Sequence, residues 1–88
     1  MKYETLIQQK DAANENLTRF NAPYRIAFMT QKHDSDRSKR VTIEIGTPEQ
    51  IERGCANNNL LNYATINEAS KFMIGFNAAL AIINVYTK

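Results

Sequence analysis

The chain has one histidine and one cysteine among its 88 residues, and this already narrows the chemistry open to it. His33 sits beside Asp34 and Asp36, the right atoms for a metal but without a recognisable ligand spacing, so it is expected to be a solvated loop residue. Cys55 as a nucleophile needs a base and an orienting group, and His33 is the sole imidazole that can serve. Cys55 also follows Gly54 at an expected helix C-terminus, where the dipole raises a thiol pKa. A half-buried structural thiol is the expectation. Glu44, Glu49 and Glu52 fall on a strand and a helix surface and form no evident acid–base pair. Gly46-Thr47-Pro48 lacks the repeated glycines and the lysine of a phosphate loop. The chain is therefore read as a non-enzyme, with no metal and no cofactor.

Two segments carry binding potential instead. The first is Lys32-His33-Asp34-Ser35-Asp36-Arg37-Ser38-Lys39-Arg40, a basic hairpin tip in which Asp34 and Asp36 halve the positive charge. Together with Arg25, the side chains of Lys32, Arg37, Lys39 and Arg40 are candidate contacts to phosphates or to a protein. Tyr24 and Phe28 would add stacking surface if they faced outward. The plainer expectation is a mobile, solvated tip over about residues 33–39.

The second segment is the C-terminal helix expected from Thr65 to Lys88. At about 100° per residue, Ala69, Phe72, Met73, Phe76, Leu80 and Ile83 form one apolar stripe. Ile74, Ala78, Ala81, Ile82 and Val85 form another, with Gly75 and Ala79 adding small residues that invite close approach. A helix apolar on two sides needs cover on two sides. Ile74, Ala78, Ala81 and Val85 are therefore the candidate partner-binding residues, for a second subunit or another protein, unless the first helix covers them. Ser70, Asn77 and Asn84 form a polar seam at seven-residue spacing. Buried, it would fix the register of paired helices; the plainer expectation is a solvent-exposed strip.

These segments must be positioned by a small scaffold. Tyr3, Leu6, Ile7, Ala13, Leu17 and Phe20 predict a helix from Lys2 to Phe20, weakened by a polar gap from Gln8 to Ala12 and stopped by Asn21 and Pro23. Tyr24–Lys32 and Arg40–Ile45 alternate as strands, the second with Val41, Ile43 and Ile45 inward and Arg40, Thr42 and Glu44 toward solvent. Thr47-Pro48-Glu49-Gln50 reads as a capping box opening a helix of about two turns that ends at Gly54. Thr65-Ile66-Asn67-Glu68 is a second capping box and opens the final helix. Leu60, Leu61 and Tyr63 fit either a short strand or a buried connector. The predicted fold is a single small α+β domain over residues 1–88, in the order α-β-β-α-α. Its β-hairpin, enlarged by a short third strand or by a second copy, packs against the long C-terminal helix.

The bulk composition agrees with one small globular domain. A net charge of +2 is too weak to imply nucleic acid by itself. The lone cysteine excludes an internal disulfide and points to a cytoplasmic setting, and the polar start MKYETLIQQK carries no visible secretory signal. The apolar run from Phe72 to Tyr86 is shorter than the roughly 20 residues of a membrane span and contains Asn77 and Asn84, so no membrane partner is expected. Abundant asparagine, with no tryptophan, fits an AT-rich phage, bacterial or mobile-element source. The sequence thus predicts a non-enzymatic interaction protein, a regulator or inhibitor that binds a host protein or assembles with itself. The alternative is a small nucleic-acid- or nucleotide-binding module using hairpin 32–40.

Overall fold

The computed structural model describes residues 3–30, 40–54, 56 and 58–86. Its elements are α1 (Tyr3–Arg19), β1 (Arg25–Thr30), β2 (Arg40–Gly46), α2 (Pro48–Glu52), β3 (Asn58–Thr65) and α3 (Ile66–Tyr86). The predicted α+β class and element order hold, and the segment left open between strand and connector is a third strand. All three strands are antiparallel, in the order β1-β2-β3, so β2 is central and both other strands are edges.

Local chemistry explains where the elements begin and end. Asn21, at φ 57°, closes α1 in a Schellman arrangement, with Ala22 N–H donating to Leu17 O and Asn21 N–H to Thr18 O, each at 3.0 Å. Thr47 Oγ1 accepts from Gln50 N–H at 3.2 Å while Gln50 Oε1 accepts from Thr47 N–H at 3.0 Å, the reciprocal pair of a capping box. Thr65 and Glu68 repeat this at the start of α3, both bonds at 3.1 Å. α3 follows β3 with no residue between them. Gly46 sits in a tight approach: a Cβ there would lie 3.1 Å from Gln50 Oε1 and 3.3 Å from Ala56 Cβ.

β3 is irregular. Val41 pairs with Ala64, Ile43 with Leu61 and Glu44 with Asn59, so β3 has an extra residue at each of two steps. At the first bulge Tyr63 adopts φ 51°, and its N–H is taken by the side-chain Oγ1 of Thr42 at 3.1 Å.

The core is formed by Leu6, Ala13 and Leu17 of α1, Ile26 of β1, Val41 and Ile43 of β2, and Ala69, Met73 and Leu80 of α3. Ile26, Val41 and Ile43 share one face of the sheet, so the two long helices lie side by side on that face and the other face carries no long helix. Phe72 and Phe76 are half-buried at the margin of this core, their rings stacked with centroids 6.2 Å apart. Ile83, expected on the inner stripe, is 48% exposed. Glu44, expected in solvent, is 9% exposed; it lies on the central strand between Ala27 of β1 and Asn59 of β3.

Candidate interaction surface

The packing of α1 against α3 decides which part of α3 stays uncovered. α1 lies over the polar seam. Ser70 is only 1% exposed, and Asn77 Nδ2 donates to Gln9 O at 3.1 Å. The expectation of a solvent-exposed strip is corrected for these two residues; Asn84 alone of the three is exposed. The buried oxygens Gln9 Oε1, Ser70 Oγ and Asn77 Oδ1 have no hydrogen-bond partner among the described residues. The polar gap that weakens the α1 stripe thus coincides with the half-buried Gln9, at the contact with α3.

α1 leaves the second apolar stripe open. Ile74 is 56% exposed, Ile82 57% and Val85 71%, and Gly75, Ala78, Ala79 and Ala81 are exposed with them. A Cβ added at Gly75 would meet nothing within 4 Å, so no part of the fold explains the missing side chain. From Ala81 to Val85 every residue is exposed. Lys71 lies at one end of this face, and from Phe72 to Tyr86 the sequence carries no charge. The sequence-predicted residues Ile74, Ala78, Ala81 and Val85 therefore lie together on one exposed strip.

Of the basic candidates, Arg25 and Arg40 lie among the described residues. Arg25 lies at the end of β1 remote from the hairpin, opposite Gly46, and its Nη1 donates to Ala22 O at 2.8 Å and Tyr24 O at 2.6 Å. Arg40 lies at the hairpin base, with Nη1 3.8 Å from Glu68 Oε1 and its guanidinium 5.6 Å from the Tyr63 ring centroid. Lys32, Arg37 and Lys39 fall outside the described residues, as do His33, Asp34, Asp36 and Cys55. Glu68 is exposed, and its carboxyl is held below the ordinary value of 4.5, chiefly by the Thr65 backbone and side-chain hydrogen bonds, with Arg40 and Lys71 adding to them.

Among the described residues, no three of His, Cys, Asp and Glu come together in a way that could hold a metal ion, and no helix is long and apolar enough to cross a membrane. The sheet edges were not anticipated as part of the surface. The side chain of Asn14 accepts from Ile26 N–H at 2.7 Å and donates to Ile26 O at 3.0 Å, occupying the free edge of β1. The two bulges break the ladder of β3, the opposite edge. No known protein family, curated protein or solved structure matches the chain.

Proposed function

We propose that this chain is a non-enzymatic interaction domain whose working surface is the outer face of α3. The observation that carries the reading is the exposed, uncharged strip Ile74-Ala78-Ala81-Val85 with Ile82 beside it. Water contact with so many adjacent apolar side chains is unfavourable, and covering them releases free energy at about 25 cal/mol per Å². The asparagine-rich composition supports a phage or mobile-element regulator or inhibitor acting on a host protein, and the single cysteine supports a cytoplasmic setting.

The test compares the wild type with Ala78→Asp, a change at an exposed site that leaves the core intact. Two measurements are made: sedimentation over a wide concentration range, and affinity capture from the source cell. The reading predicts that the wild type self-associates or retains a protein, and that the variant loses this while melting at the wild-type temperature. If the wild type does neither, or if the variant behaves identically in both assays, the reading is wrong.

A second reading has one observation in its favour. Arg40 lies over Tyr63 at the base of the basic hairpin, beside the sheet face that carries no long helix, and an Arg–aromatic pair is a common element of nucleic-acid contacts. Titration with a single-stranded oligonucleotide at two salt concentrations tests this, because a phosphate contact weakens steeply as salt rises.

A further inference from the structure

We infer that the occupant of the outer face of α3 is a second copy of this chain, paired antiparallel so that Ile74 meets Val85 of the other copy and Ala78 meets its Ala81. The inference rests on the reading of α3 as the working surface and names what covers it.

The pattern of the strip favours a second copy. The exposed residues 74, 78, 81 and 85 are separated by four, three and four positions, a spacing that reads the same in both directions. Their sizes are palindromic too: branched, small, small, branched. A two-fold contact requires a surface that matches itself when reversed, and this strip does so in one register. The alternation of three- and four-residue steps is also the seam of a helix pair, and the central alanines let the two axes approach closely where they cross.

Charge points the same way. A charged partner would find no complement between Phe72 and Tyr86, whereas a second copy brings no charge into the contact. The exposed Ala81, Ile82 and Val85 of each copy then rest against the part of the other helix that is anchored on its core by Ala69 and Met73.

The other route to a symmetric pair is poorly provided. A dimer built by joining sheets needs a free, regular edge. Here Asn14 occupies the β1 edge at Ile26, and β3 is bulged twice. A contact built on one face of a single helix is expected to be small, so the pair should exist in concentration-dependent equilibrium with monomer.

The experiment has two arms. Sedimentation equilibrium of the full chain, from about 1 μM to about 1 mM, should show the mass rising from one chain to two, and Ala78→Asp should remain monomeric throughout. For orientation, Ala78→Cys and Ala81→Cys are each made in a Cys55→Ser background and oxidised separately and as a mixture. The antiparallel register predicts that the mixed disulfide forms several-fold faster than either homodisulfide. A wild type that stays monomeric to the highest concentration, an Ala78→Asp variant that still dimerises, or faster homodisulfides overturns the inference. Retention of a different protein by a monomeric wild type, lost in Ala78→Asp, would leave α3 as the working surface while rejecting a second copy. Melting curves for every variant confirm that each is folded.

Discussion

Asn14 treats Ile26 as a neighbouring strand would. Its side-chain amide accepts the Ile26 N–H at 2.7 Å and donates to the Ile26 carbonyl at 3.0 Å, so one helical side chain satisfies both outward backbone groups of an edge residue. Replacing Asn14 with alanine strands both groups in a partly buried place. The expected cost is about 1–3 kcal/mol in chemical denaturation, with loss of hydrogen-exchange protection at the Ile26 amide. An unchanged Ile26 exchange rate in Asn14→Ala would show that the pairing is not formed in solution.

Neighbours on α3 should differ sharply in cost. Met73 is fully buried and Ile74 is mostly exposed. Met73→Ala should lose about 2–5 kcal/mol. Ile74→Ala, measured at a concentration where the chain is monomeric, should change stability by no more than about 0.5 kcal/mol. Equal losses from the two variants would mean that the rotation of α3 about its own axis is misassigned.

Gly75 offers the opposite sign. It lies inside a helix with open space around the position of a Cβ, so Gly75→Ala removes backbone entropy from the unfolded chain and adds no clash. A gain of about 0.5–1 kcal/mol in the monomer is expected from thermal or denaturant melting. A loss at low concentration would require a contact to Gly75 within the single chain.

The cap of α3 gives a pH dependence. Glu68 is held below its ordinary value of 4.5 by the Thr65 hydrogen bonds, with Arg40 and Lys71 contributing. A lowered native pKa means that the unfolded chain takes up the proton first as pH falls. The stabilisation is therefore complete above pH 4.5 and is lost as pH drops through the lower native value. Glu68→Gln keeps a side chain able to close the capping box but removes the titration. Denaturation midpoints at several pH values should show the wild type ahead at neutral pH and its lead shrinking in acid. A lead that stays constant down to pH 3 would rule out this role for Glu68.

The legible parts of the fold are those governed by local chemistry. Both capping boxes, the left-handed stop at Asn21, the alternation of Val41 and Ile43, and the exposure of Ile74 and Val85 all follow from side-chain type and short-range spacing. β3 was ambiguous for a physical reason. Its two extra residues destroy the two-residue period that identifies a strand, so Leu60 and Leu61 read as a plain apolar pair. The seam of Ser70, Asn77 and Asn84 announced a shared face, but spacing cannot say what that face meets; the answer lay in Gln9, 68 residues earlier in the chain than Asn77. The role of Asn14 was hidden for the same reason, since its partner Ile26 is on another element. The exposed apolar strip was legible because it is a property of one helix. Of the basic candidates, Arg25 and Arg40 are described, and they stand at opposite ends of the β1–β2 pair.

The absence of any spacer between Thr65 and Ile66 gives the molecule a stiff elbow. Thr65 pairs with Arg40 on the central strand, and Glu68, in the first turn of the helix, lies 3.8 Å from the Arg40 guanidinium. The direction in which α3 projects is therefore set by the twist of the sheet, as a mast is set by its step. The two bulges just upstream increase the local twist, so the residues that aim the apolar strip include Thr42 and Tyr63, on the sheet and not on α3.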